Sequence, residues 1–348
     1  MKNWRDALLP LSATVREAIE TIDLVMQLAL VVDEQNRLLG IVTDRDVRRG
    51  MLRQVPLDST IESIMNKNPT VLFKDDDREN ILEVFAQSHY AHIPVLDAEH
   101  RVVNVDVIDS SRHASQQSSW VVLMAEGIDV RLHPLTEEYP KPLLKVENKP
   151  LLEMTLEHFI GHGFNQFYLS VNYQSEVIEQ YFGDGSQWGV EIRYLRGKAP
   201  MGTAGALSLL PEMPRDPVFV MNENLLTQIN LRHLLDFHKQ HHSQGTMCVR
   251  EHEVRIHHDV TRIENHQITQ FDEKPIKYFF VDAGIYVLEP EVLELIPKGA
   301  FYNMTDLFTH LIGKEYQLRA FPIREYWLDV GDQEDPERAT GDFKEISL

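Results

Sequence analysis

The 348-residue chain carries 54 acidic against 34 basic residues, a net charge of -20. Nonspecific nucleic-acid binding, which depends on lysine and arginine neutralising phosphates, is therefore not expected. The single cysteine, Cys248, excludes disulfides and cysteine-built zinc sites, and no apolar run nears the ~18 residues of a membrane span, so a cytoplasmic location with no membrane partner is expected.

The first third contains an internal repeat. Within "LALVVDEQNRLLGIVTDRD" (28–46) and "AHIPVLDAEHRVVNVDVID" (91–109), Asp33 falls on Asp97 and Arg37 on Arg101, an offset of 64. Each copy reads as strand, polar turn and strand, a β-hairpin. Upstream, "TVREAIETI" (14–22) and "DRENILEVF" (77–85) have helical apolar spacing, with Thr14 and Asp77 as N-caps. Two such copies suit a pseudo-symmetric pair sharing a core, since solenoids need at least three units. "SSRHASQQSSW" (110–120) is polar and aperiodic and reads as a linker. The expected organisation is 1–112 for the repeated pair (about 1–56 and 57–112), a linker at 113–119, and a second domain at 120–348.

In that second domain, "VVLMA" from Val121 is a buried strand leading into a loop. Helix 150–164, strand 166–173, helix 175–185, strand 190–195, helix 204–213 and strand 217–224 follow, with "QGTMCVREH" and "FVDAGIYVLEP" as further strands. The alternation predicts an α/β fold with a mostly parallel, Rossmann-like sheet, helices on both faces, and a site at the carboxyl ends of the strands. "HKQHHS" places His238 and His242 on one helix face, and without a partner carboxylate at motif spacing a solvated surface is the favoured reading.

The N-terminal repeat resembles a tandem pair of α+β CBS domains, on "GIVTDRDVRR" (40–49) and "HIPVLDAEHRVV" (92–103). That resemblance implies an adenosine nucleotide held by Thr43 and Asp46, while the second copy has Val107 and Ser110 at those places. A nucleotide site and a pair that only packs both fit this spacing. Residues 121–340 resemble the sugar-1-phosphate nucleotidyltransferases, or nucleotide-sugar pyrophosphorylases, whose sheet is GT-A-like. Six ordered blocks carry the resemblance: "MAEGIDVRLHPLT" (124–136), Pro140-Lys141-Pro142, "MGTAGAL" (201–207), "FDEKP" (271–275), "DAGIYVLEPEVL" (282–293) and "EYWLDVGDQEDPERA" (325–339). The order of the two parts is similar to that of guanylyltransferases of the nonulosonic acid pathway, the glucosamine-1-phosphate and mannose-1-phosphate type.

The resemblance implies transfer of a nucleotidyl group from an NTP, with GTP favoured, to a sugar-1-phosphate, for surface polysaccharide or nonulosonic acid synthesis by a homo-oligomer. Such a reaction asks the protein for positioning and charge neutralisation. Carried over by motif, Arg131 stabilises the leaving pyrophosphate, Lys141 lies near the α-phosphate, and Lys274 with Glu273 orients the sugar-phosphate. Ala125 and Gly127 belong to the nucleotide loop. Gly202, Thr203 and Gly205, with Asn222 and Asp282, line the base and sugar cleft. Mg²⁺ is expected at Asp329 and at the position of Asn224.

The departures bear on activity. Glu126 and Asp129 stand where the family has glycines, and Asn224 where it has a metal-binding aspartate. A carboxylate ~5 Å from a triphosphate costs about 3 kcal/mol at an effective dielectric near 20. Two readings stay open: an adapted enzyme whose Glu126 or Asp129 points away or takes over metal binding, and a catalytically impaired relative serving as an adenosine-nucleotide-sensing scaffold.

Overall fold

The computed structural model describes residues 3–25, 28–74, 76, 92–107, 117–126, 140–146, 148–172, 174–197 and 199–330. The chain divides into two units, Met1–Ala114 and Ser115–Leu348.

In the first unit, β1 (Leu8–Pro10) runs parallel to β2 (Leu28–Val32), which pairs antiparallel with β3 (Leu38–Thr43). The helix Val15–Leu24 starts as expected at Thr14. The Thr14 hydroxyl accepts from the Glu17 N–H, and the Glu17 carboxylate accepts from the Thr14 N–H at 2.6 Å, a capping box. Its buried Val15, Ala18 and Ile22 share one face and pack with Val31, Val42 and Val47. In the second copy, β4 (Leu72–Phe73) is parallel to β5 (His92–Leu96), which is antiparallel to β6 (Val102–Val107). The helix expected from Asp77 lies outside the described residues.

The 64-residue offset persists in atomic detail. Arg37 Nε donates to the Asp33 carboxylate at 2.7 Å, and Arg101 Nε to that of Asp97 at 2.8 Å. Asn36 and His100 hold the matching left-handed turn positions, at φ 60° and 62°. The two turns also pair with each other: the Leu38 N–H donates to the His100 carbonyl and the Val102 N–H to that of Asn36, both at 3.0 Å. Each hairpin thereby satisfies backbone groups of its counterpart.

The second unit is built on a seven-stranded sheet in the order β11-β10-β7-β12-β17-β14-β18. These strands are β7 (Val121–Ala125), β10 (Gln166–Val171), β11 (Glu191–Arg196), β12 (Val218–Asn222), β14 (Gly245–Arg255), β17 (Ile276–Leu288) and β18 (Leu318–Pro322). Only β17 runs against the rest, so the sheet is mostly parallel. The α/β expectation holds. Small pairs β8 (Lys145–Val146) with β9 (Lys149–Pro150), β13 (Leu225–Thr227) with β19 (Trp327–Asp329), and β15 (Val260–Glu264) with β16 (Gln267–Asp272) decorate it.

Central β7 is buried along its whole length because both sheet faces are covered. One face packs Phe159, Phe164, Phe167 and Phe219; the other packs Leu207, Tyr286, Leu307 and Leu311. The chain leaves β7 to one side for β10 and to the other for β12. The crevice at that reversal is where a ligand of an open α/β sheet is expected.

Three expectations are corrected. The predicted helix 204–213 is only a helical turn, Gly202–Gly205, followed by a 3-10 turn, Ala206–Leu209; two glycines and Pro211 deny it length. The end of the expected linker belongs to the second unit, since the Gln117 N–H donates to the Gly163 carbonyl and Ser119 is buried. His238 is fully buried, and only His242, beyond the end of the helix Leu231–Gln240, is exposed.

Candidate active site

A cleft of about 280 Å³ opens at the carboxyl end of β12, beside Asp282, Ala283, Gly284 and Tyr286 of β17. Asn222 ends β12 in register with Met124 of β7, and its Oδ1 is buried with no hydrogen-bond partner among the described residues. Such an orphan acceptor inside a cleft is what a ligand's O–H or N–H would satisfy. Opposite it, the Asp282 carboxylate accepts from the Gly284 N–H at 2.9 Å and from the Tyr286 hydroxyl at 2.6 Å. Burial, and secondly the Asp282 charge, push the Tyr286 hydroxyl pKa up, so it stays a donor. Trp327 and Asp329 close the side, the indole Nε1 donating to the Ala283 carbonyl at 2.9 Å.

The last wall comes from Thr203 and from Asn303, Met304 and Thr305 at the start of the helix Met304–Gly313. Thr203 Oγ1 accepts from the Met304 N–H at 2.8 Å. No lysine or arginine lines the cleft among the described residues, so the helix N-terminus is its positive feature.

At the mouth, the backbone joins β13 to β19, and the Asn224 side-chain amide donates to the Asp329 carboxylate. One carboxylate and one amide face each other where the family pattern has two carboxylates. Among the described residues no group of three or more His, Cys, Asp or Glu is arranged to hold a metal ion. The pair suits Mg²⁺ only in the form usual for that ion, with one carboxylate, a neutral oxygen after the amide turns over, and substrate phosphates completing the shell.

The model of the nucleotidyl transferase family matches residues 120–345, and that of the CBS domain matches 5–53 and 61–105. The chain belongs to the nucleotidyl transferase family. Similar curated proteins include the mannose-1-phosphate guanylyltransferase catalytic subunit beta of Dictyostelium discoideum, 31% identical over 221 residues, covering 62% of this chain and 61% of that protein. The mannose-1-phosphate guanyltransferase of Saccharomyces cerevisiae is 32% identical over 225 residues, covering 62% of each. The chain thus spans about three-fifths of the length of these relatives. A putative glucose-1-phosphate thymidylyltransferase from Bacillus anthracis shares the fold at a TM-score of 0.54 and 20% identity, over 66% of this chain and 97% of that one. HddC from Yersinia pseudotuberculosis does so at 0.52 and 20%, over 65% and 99%.

Within this nucleotidyltransferase unit, Thr203, Asn222, Asp282 and Asp329 meet in one cleft, with Asn224 bonded to Asp329. Gly127, Asp129 and Arg131 lie outside the described residues. Ala125 is buried at the end of β7, and Lys141 is buried in the turn Lys141–Leu143; neither lines the cleft.

Two expectations about the lining do not hold. Glu273 and Lys274 are exposed in the turn before β17, and from Ile276 to Asp282 the strand advances about 20 Å. They therefore sit at the far end of a two-stranded ribbon instead of in the cleft. Gly202 and Gly205 are not among the cleft's lining residues and pack against the 300–303 loop. A Cβ on Gly202, at φ +74°, would come 2.7 Å from the Tyr302 carbonyl, and one on Gly205 2.5 Å from that of Ala300. Gly205→Ala is expected to cost about 1–3 kcal/mol, read as a lower melting temperature, by pushing the 300–303 loop outward.

Glu126, the acid in the predicted phosphate loop, turns inward. It accepts from the Ser170 hydroxyl at 3.0 Å and from the Met201 N–H at 3.1 Å. Motif comparison marks Glu126 as unusual and gives no sign of these partners.

In the first unit, Thr43 and Asp46 serve one another. Thr43 Oγ1 and N–H both donate to Asp46 Oδ2, at 2.8 and 3.0 Å, and Arg49 donates to Oδ1 at 2.6 Å. They cap the helix Asp44–Leu52 and do not line the groove of that unit formed by Leu8–Ser12, Val32–Glu34 and Leu39. Asp46→Ala is expected to cost about 1–2 kcal/mol in thermal or urea unfolding through loss of the cap.

Proposed function

We propose that the second unit transfers a nucleotidyl group from an NTP to a sugar-1-phosphate, giving a nucleoside-diphosphate sugar and pyrophosphate. The observation carrying this reading is the cleft at the carboxyl end of β12, with Asn222 Oδ1 unsatisfied among the described residues and the Asn224–Asp329 pair at its mouth. A phosphate oxygen of the sugar-1-phosphate would attack the α-phosphorus, and the bond from that phosphorus to the bridging oxygen would break as pyrophosphate leaves. Asn222 and Asp282 would accept hydrogen bonds from sugar hydroxyls and fix the ring. Arg131 and Lys141 are proposed to offset the triphosphate charge. Mg²⁺, held by Asp329 and a turned Asn224, would supply further neutralisation of phosphate charge.

GTP is the favoured nucleotide. Its support is the similarity to proteins named mannose-1-phosphate guanylyltransferases and to HddC, a fold neighbour solved with GMP-PN. An amino sugar suits this cleft well, because Asp282 and Asn222 present acceptors to an ammonium group. The proposed product would feed surface polysaccharide or nonulosonic acid synthesis, a reading resting on the order of the CBS pair and the transferase unit. Regulation by an adenosine nucleotide at Thr43 and Asp46 would require it to displace the Asp46–Arg49 pair, and calorimetry with AMP against Asp46→Ala tests that arm.

The test is pyrophosphate release with Mg²⁺, each of the four common NTPs, and either mannose-1-phosphate or glucosamine-1-phosphate. Release that needs both substrates is expected, fastest with GTP. No release with any pair would refute the proposal.

A further inference from the structure

We infer that Glu126 is a positioning residue: its carboxylate clamps the Met201–Thr203 turn, and through that turn one wall of the cleft, to the end of β7. The inference rests on the proposed transferase reading for its catalytic consequence and on geometry alone for the clamp. Ser170 is fully buried on β10, in register with Met124, so its hydroxyl meets the side chain of the residue two places beyond. That hydroxyl occupies one carboxylate oxygen of Glu126, and the Met201 N–H occupies the other.

From Met201 the contacts continue without a gap. The Met201 carbonyl accepts from the Tyr302 N–H at 2.9 Å, and the Tyr302 carbonyl accepts from Ala204 and Gly205 N–H at 3.0 and 2.9 Å. Thr203 then accepts from Met304, and both residues line the cleft. A chain of hydrogen bonds thus leads from one carboxylate to the wall formed by Thr203 and Met304.

Hydrogen bonds to a charged acceptor are stronger than neutral ones and fix geometry better. A glycine at this position would leave the Met201 N–H without this partner. The acid therefore takes up a structural duty on the protein side of the loop, and its charge is spent on two donors.

Two variants separate this role from a simple charge effect. Glu126→Ala removes both acceptors. Glu126→Gln keeps the shape, since its carbonyl can accept from Met201 while its amide donates to a rotated Ser170 hydroxyl. The readouts are hydrogen exchange at the Met201 and Tyr302 amides, and KM for the sugar-1-phosphate against kcat. Glu126→Ala is expected to speed exchange at both amides about 10-fold or more and to raise KM by a similar factor, with Glu126→Gln restoring most of each. Exchange in β10 and β12 should stay as in the parent protein, which shows that the variant folds. Unchanged exchange at Met201 in Glu126→Ala, or a Gln variant as impaired as the Ala variant, would overturn the inference. Exchange needs no turnover, so the clamp stands or falls separately from the proposed reaction.

Discussion

Replacing Asp329 by alanine is expected to cut turnover by roughly two to three orders of magnitude while lowering the melting temperature by no more than a few degrees. The asymmetry follows from where Asp329 sits. It is exposed at the end of β19, so its side chain contributes little to the core, and Leu328 and Val330 hold the strand in place on either side. At the mouth of the cleft, by contrast, it is the charged partner of the Asn224 amide. In the proposed transfer reaction, removing one preorganised charge costs far more in rate than in stability. Asn224→Asp supplies the complementary experiment. It places a second carboxylate against Asp329, so activity should reach half-maximum at a lower Mg²⁺ concentration than in the parent protein. A large rise in maximal rate would mark the parent as impaired, and little change in an active parent would mark it as adapted. Steady-state kinetics with titrated Mg²⁺ reads both.

The second large effect is a loss of stability in mild acid. His238 is fully buried, with Nδ1 2.8 Å from Thr246 Oγ1 and Nε2 3.3 Å from Glu289. Thr246 donates on to Ser243, which donates to the Gly245 carbonyl, so a neutral His238 with its proton on Nδ1 completes the relay. The Glu289 carboxylate would favour the cation, yet burial wins, with Lys239 adding to it, and the His238 pKa is pushed down to about 4. Burial also pushes the Glu289 carboxyl pKa up, which weakens its pull on a proton at His238. An unfolded histidine titrates near 6.5, so between pH 6.5 and 4 the unfolded chain binds a proton that the folded chain refuses. Stability conferred by neutral His238 is therefore full above pH 6.5 and lost as pH falls toward 4, by up to about 3 kcal/mol. Urea midpoints at pH 7 and pH 4.5 measure it. His238→Gln should have a flatter pH profile over that interval, and an equally steep profile would assign the loss to other groups.

The fold was legible where local chemistry repeats. Thr14 announced a helix start, and Asp33 with Arg37 recurred as Asp97 with Arg101 because both stabilise the same tight turn. Strand-end residues such as Asn222 and Asp329 were legible as motif positions. What escaped was set by partners far along the chain. Glu126 meets Ser170 and Met201, 44 and 75 residues away, so no local pattern could give its direction. His238 read as a polar helix position, and the Thr246 and Glu289 contacts that bury it come from β14 and the end of β17. Lys274 fitted a motif, but the ribbon of β14 and β17 extends past the sheet and carries that turn away from the cleft. Gly202 and Gly205 lack a Cβ where the 300–303 loop packs against them, a neighbour about 100 residues away that no local pattern names.

The most direct measurement is a crystal structure of the protein with a GDP-sugar and Mg²⁺. The account requires the sugar ring in the cleft at the end of β12, with a hydroxyl or amino group donating to Asn222 Oδ1 and the phosphates beside Asp329. A nucleotide sugar bound elsewhere on the unit, with Asn222 and Asp282 facing only water, would contradict it.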